Sequence, residues 1–105
     1  MIELIEERPE HPWTIAELAA AVTVSVRTLQ DWFAQTLGVP PMTYLRDVRL
    51  DRIHTQLLAA DAREVTVATV AARWGFLHAG RFAAAYKRRF GRSPSATLRR
   101  RRGQG

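Results

Sequence analysis

Apolar residues recur along this chain at intervals of three and four, while period-two alternation is nearly absent, so the pattern predicts an all-helical fold. The stretch "LQDWFAQTLGVPP", Leu29 to Pro41, has bulky apolar residues at its first, fifth and ninth positions, then Gly, two residues and Pro. "FAAAYKRRFGRSP", Phe82 to Pro94, repeats that punctuation. Each reads as a helix with one apolar stripe that stops at a glycine, Gly38 or Gly91. A shorter helix precedes each. In "WTIAELAAAV", Thr14 is an N-cap with Glu17 three residues on, a capping box, and Trp13 and Leu18 occupy the positions of a hydrophobic staple. In the second half Thr66 caps "VATVAARW", with Val65 and Val70 in the staple positions. Turns follow at about Thr23–Val24 and Gly75–Phe76, and Ser25 caps the helix after the first turn. The first helices of the two halves align at an offset of 52 and the second at 53, so the second turn is one residue longer. The chain therefore holds an internal duplication of a helix-turn-helix unit.

Around this duplication, a short helix of about Ile2–Glu7 is ended by Pro9 and Pro12. Between the copies runs a helix of about Pro41–Leu58 with two apolar groups: Leu50, Ile53 and Leu57 on one side, Tyr44 and Val48 on the other. Two stripes suit a helix packed by a module on each side. Residues 59–64 form its exit loop, and a last helix starts near Ser93 or Pro94. The expected organisation is thus about seven helices: a first helix-turn-helix subdomain over 1–38, a linker helix over 39–60, a second subdomain over 61–102 and a disordered tail over 103–105.

Charge changes the picture. The net +6 is unevenly spread: residues 1–65 carry six Arg and all ten acids, a net of −4, whereas residues 66–105 carry nine Arg, the only Lys and no acid, a net of +10. Forty residues without a carboxylate cannot pair their cations internally, which points to a polyanion: DNA, RNA or an anionic membrane. Fifteen of the sixteen cations are Arg, whose planar fork suits phosphate and guanine edges. Other classes recede. There is no Cys, hence no disulfide or thiolate metal site, and no apolar run near the roughly 20 residues that span a bilayer. Acids stand in "MIELIEERPEHPW" where a signal peptide would have its apolar core, so the chain is expected in the cytoplasm. His11, His54 and His78 lack ligand spacing and no catalytic set can be assembled, so neither an enzyme nor a cofactor is expected.

A helix-turn-helix places its second helix for insertion into a DNA major groove. In the first copy Val26, Leu29, Phe33 and Leu37 form the inward stripe; opposite lie Arg27, Asp31 and Ala34, flanked by Thr28, Gln30 and Gln35. Arg27 on the first turn can grip guanine through two hydrogen bonds, and Gln30 can read adenine. Asp31 either accepts from a cytosine amino group or pairs with Arg27 one turn away. In the second copy Ala79, Phe82, Tyr86 and Phe90 form the inward stripe, with Gly80, Ala84 and Lys87 opposite and Arg81 and Arg88 on the flank. Its base-facing positions are nearly bare. The first helix (about 25–37) is therefore expected to read bases and the second (about 79–90) mainly to grip phosphates, with His78 and Arg81 its only polar candidates for a base contact.

These motifs resemble the AraC/XylS family of bacterial transcription regulators over almost the whole chain. "VATVAARWGFLHAGRFAAAYKRRFGRSPSATLRR" is similar to the family signature around the second motif, and "SVRTLQDWFAQTLGVPPMTYLRDVRL" to the first motif and connecting helix. The resemblance implies two helix-turn-helix subdomains on a linker helix, entering successive major-groove segments about 34 Å apart on one face of double-stranded DNA. It carries base contacts onto Arg27, Gln30 and Asp31, with the cap Ser25 beside them, and onto Ala79, Gly80 and Ala84. An acid stands at Asp31 where the family often has a base, and His78 replaces a common serine. Family members usually carry a further N-terminal sensing or dimerisation domain. The chain reads as an isolated DNA-binding domain, monomeric alone, with any dimer formed through a domain outside this sequence. RNA polymerase is a further partner the resemblance suggests, with Glu3–Glu10 as a surface for it.

The competing reading is a basic module that binds DNA or RNA by charge alone. It accounts for the +10 half but not for the duplication, the caps or the polar groups on the first recognition helix. Trp13, Trp32 and Trp74 sit at staple or stripe positions rather than on a base-stacking platform. The Arg99–Arg102 run is either a phosphate arm or a solvated tail.

Overall fold

The computed structural model describes residues 1–103 of the chain. Seven helices follow one another, with no strand among the described residues: α1 Glu3–Glu7, α2 Ile15–Ala21, α3 Val26–Thr36, α4 Pro41–Ala59, α5 Val67–Arg73, α6 Ala79–Phe90 and α7 Pro94–Gly103. The last helix takes in Gly103 of the expected tail; Gln104 and Gly105 lie outside the described residues. The chain divides into two compact units, Met1–Arg49 and Leu50–Gly105, so the division falls inside α4.

The first unit is built on α1, α2, α3 and the front half of α4. Ile5, Leu18, Ala19, Leu29, Phe33 and Leu45 form its buried core, with Trp13, Val24, Val26, Tyr44 and Val48 packed against it. Thr14 and Glu17 make the capping box in both directions, each hydrogen bond 3.1 Å long. Proline-punctuated chain joins α1 to α2, and Arg49 ties it to α4 by donating to the carbonyls of Pro9 at 2.6 Å and His11 at 2.7 Å. These carbonyls lie outside any helix; that of His11 also accepts from the Trp13 amide at 2.8 Å, so Arg49 adds a second donor there. Leu37, expected in the inward stripe, is 37% exposed. It is the C-cap of α3, where the chain is already leaving the helix for Gly38 at φ +75°.

The second unit is built on the rear of α4 with α5, α6 and α7. Leu50, Ile53, Leu57, Val70, Ala71, Phe82, Ala85, Tyr86 and Leu98 are its core, with Val65, Trp74, Phe76 and Phe90 packed against it. The two apolar groups of α4 thus serve different cores, as its split pattern implies. Thr66 Oγ1 accepts from the Thr69 amide at 3.1 Å and Ser93 Oγ from Ala96 at 3.1 Å, capping α5 and α7. Ala79, expected to face inward, is exposed; as the first residue of α6 it precedes the turn that packs on the core.

A polar chain crosses this core. Tyr86 of α6 donates to Thr97 Oγ1 of α7 at 2.9 Å, so His54 Nδ1 of α4, 2.7 Å from the same phenol, must carry a hydrogen and donate to it. His54 also stacks on Phe90 at 4.1 Å. Burial and the Arg92 charge hold the His54 imidazole below the ordinary histidine value, against the smaller opposing pull of Asp51. Protonation is therefore easier in the unfolded chain than in the folded one. The corresponding stability is present above the unfolded value of 6.5 and is lost as pH falls through the depressed folded value. Denaturant unfolding at pH 7.5 and 5.5 will show a drop that His54→Gln reduces, even though that variant is less stable at both pH values.

The two inter-helix turns share a backbone form. Thr23 donates to the Ala20 carbonyl at 3.1 Å and Gly75 to that of Ala72 at 3.0 Å, and both adopt positive φ, +56° and +88°. Glycine holds that conformation without strain, whereas a β-branched side chain does not. Thr23→Gly is expected to raise the unfolding free energy by up to about 1 kcal/mol, read from chemical denaturation.

Candidate nucleic-acid interface

The N-terminus of α3 is organised by Ser25. Its Oγ accepts from the Thr28 amide at 3.0 Å and donates to Thr28 Oγ1 at 2.9 Å, so these two expected contact residues are joined in one cap. That cap leaves α3 free to start sharply after the turn and to present its first residues outward. Arg27, Gln30, Asp31, Ala34 and Gln35 are all exposed, while Leu29 and Phe33 on the other face are buried. Arg27 and Asp31 stand one turn apart, Nε to Oδ2 3.9 Å, at 90% and 62% exposure. At that separation and exposure the pair is loose, and neither group is withdrawn from an incoming ligand. Gln30, Asp31 and Ala34 border one recess that runs to Gly38–Pro41.

On α6, His78 is the N-cap by position, but its side chain makes no capping hydrogen bond. Ala79, Gly80, Arg81, Ala84, Lys87 and Arg88 are all exposed. A Cβ added at Gly80 would meet nothing within 4 Å, and its φ is not positive, so packing does not require glycine there. Among the described residues, Arg81, Lys87 and Arg88 have no carboxylate partner. Arg89, next in the basic run, differs: its guanidinium grips Asp51 of α4 in a two-bonded fork, Nε to Oδ1 2.7 Å and Nη2 to Oδ2 3.0 Å. It braces α6 rather than extending the cationic surface. No local signal marks this pairing, because the partners are 38 residues apart. The His54–Tyr86–Thr97 chain fixes the same helix from its buried side.

Each unit therefore carries a helix with one buried face and one solvent face, set after a capped helix and a tight turn. The solvent faces differ in chemistry: amide, guanidinium and carboxylate on α3, small residues bordered by cations on α6. Residues 18–100 match the helix-turn-helix domain family. Over 98 residues the chain is 45% identical to the "Probable thc operon regulatory protein" of Rhodococcus erythropolis, covering 93% of this chain and 30% of that protein. It is 35% identical over 102 residues to the "XylDLEGF operon transcriptional activator 1" of Pseudomonas putida, covering 97% and 31%. It thus spans about a third of the length of these relatives. A solved structure, a probable AraC family transcriptional regulator from Rhodopseudomonas palustris, superposes with a TM-score of 0.86 at 36% identity, over 94% of this chain and 91% of that one. The chain belongs to the AraC-type helix-turn-helix family of DNA-binding transcription regulators.

Proposed function

We propose that the domain binds double-stranded DNA sequence-specifically, with α3 and α6 entering successive major-groove segments. The working modules are residues 1–38 and 61–102, carried on the linker 39–60. α3 reads base edges through Arg27, Gln30 and Asp31, with Ser25, Thr28 and Gln35 at its margins. α6 grips the backbone through Arg81, Lys87 and Arg88, with His78, Ala79, Gly80 and Ala84 facing the groove. The observation that carries this division is the contrast between equivalent positions. At an offset of 53, Arg27, Gln30 and Asp31 correspond to Gly80, Ala83 and Ala84, so hydrogen-bonding groups in one copy are replaced by none in the other. The reading places the protein in the bacterial cytoplasm with its DNA, and the domain alone as a monomer. The acidic stretch Glu3–Glu10 is the surface we assign to RNA polymerase; within it Glu3 is paired with the Met1 amino group and Glu6 accepts from the Tyr44 hydroxyl at 3.1 Å.

The test is selection of this domain against random duplex DNA, followed by binding of the winner and a scrambled duplex across a salt series. A preference of 100-fold or more, roughly 2.7 kcal/mol, with a site of about two helical turns, is expected. Equal, steeply salt-dependent binding to both duplexes would instead identify a charge-only module.

A further inference from the structure

The extra residue of the second turn can be identified. Phe76 donates to the Ala71 carbonyl at 3.0 Å as Val24 does to that of Ala19 at 3.0 Å, so the copies are still in register at an offset of 52. Phe82 donates to His78 at 3.0 Å as Leu29 does to Ser25 at 3.0 Å, an offset of 53. The residue inserted between Phe76 and His78, with no counterpart in the first copy, is therefore Leu77.

Leu77 is 81% exposed, against 37% and 41% for Leu37 and Leu58, the other large apolar residues on the surface. It is absent from the packing of the second core, to which its neighbour Phe76 belongs. Folding thus leaves a whole leucine side chain in water immediately before the first turn of α6. Leu77 and Ala79 line one apolar groove, and Gly80 and Ala84 add no polar group to the exposed face of α6. Arg81, Lys87 and Arg88 on that helix have no carboxylate partner among the described residues, and residues 66–105 contain no acid. A polyanion is the complementary occupant. In a major groove, the apolar feature that distinguishes one base from another is the thymine methyl group. We propose that Leu77, with Ala79 beside it, is a specificity-determining contact that recognises a thymine methyl at the edge of the α6 half-site. This rests on the DNA-binding reading above and deepens it: α6 selects sequence by apolar contact where Ala79, Gly80 and Ala84 offer no hydrogen-bonding side chain.

The test replaces each thymine of the selected duplex in turn by deoxyuridine, which removes only the methyl group, and measures binding of the wild-type domain and Leu77→Ala. One thymine in the α6 half-site should respond, with wild-type affinity falling about fourfold on loss of its methyl. Leu77→Ala should bind the unmodified duplex about as weakly and lose its sensitivity at that position alone, with its thermal unfolding unchanged. A response of the same size in both proteins, or no responsive thymine in that half-site, overturns the proposal. So does a variant that binds every duplex like wild type yet activates transcription less, which would assign Leu77 to a protein partner. Failure of the selection to enrich any sequence would be a different result: it removes the DNA-reading conclusion itself, and the Leu77 contact with it.

Discussion

Phe33→Ala is expected to destabilise the first unit by about 3–5 kcal/mol, the cost of emptying a fully buried aromatic site. Phe33 is 0% exposed and is surrounded by large rings, Trp32 at 5.2 Å and Tyr44 at 5.8 Å in edge-on arrangements. Neighbours of that size cannot close the void without leaving their rotamers. Phe33 also anchors α3 from behind, because the amides of both Leu37 and Gly38 bond to its carbonyl, at 2.8 and 2.9 Å. The core it belongs to contains no residue of the second unit. Hydrogen exchange should therefore show α2 and α3 losing protection while α5 and α6 keep theirs, and DNA selectivity should fall with α3. Uniform loss of protection along the chain would mean that the two units unfold as one.

The caps, the turns and the duplication were legible in the residues because each is local. Thr14 with Glu17, Ser25 three residues before Thr28, and glycine after each apolar triplet act over one turn of chain. The two stripes of α4 were legible for a related reason: a single periodic helix reports which of its faces must be covered. What the sequence hid was long-range or conformational. Nothing near Arg89 marks it as the partner of Asp51, nor Arg49 as the donor to carbonyls 38 and 40 residues earlier. The His54–Tyr86–Thr97 chain joins three helices whose polar members look like ordinary surface or stripe residues until they are packed. Leu37 and Ala79 were misplaced because periodicity assumes that a helix continues, and both stand at its ends. The alignment showed that the second turn had gained a residue; the hydrogen-bond register was needed to show that it is Leu77.

Arg27→Ala should cost about 1–3 kcal/mol on the selected site, roughly 5- to 150-fold, with the loss concentrated at one base pair. The guanidinium is 90% exposed on the first turn of α3 and its only charged neighbour on the helix, Asp31, stands off at 3.9 Å, so it reaches DNA without first breaking a buried interaction. A bidentate grip on guanine predicts that Arg27→Lys recovers little, because an ammonium cannot present two parallel donors. It also predicts that substitution flattens the preference at that base pair while hardly changing the salt dependence. Arg81→Ala makes the opposite pattern: weaker binding to all sequences alike and a salt slope smaller by about 0.9. Asp31 separates two versions of the α3 contact. If it steadies Arg27 or accepts from cytosine, Asp31→Ala shifts base preference beside the Arg27 position. Uniformly tighter binding would mean that the carboxylate merely repels phosphate and that Arg27 reads its base unaided. Equal weakening by Arg27→Ala on every duplex, with the slope falling as for Arg81, would reassign α3 to the backbone and remove the polar readout proposed for it.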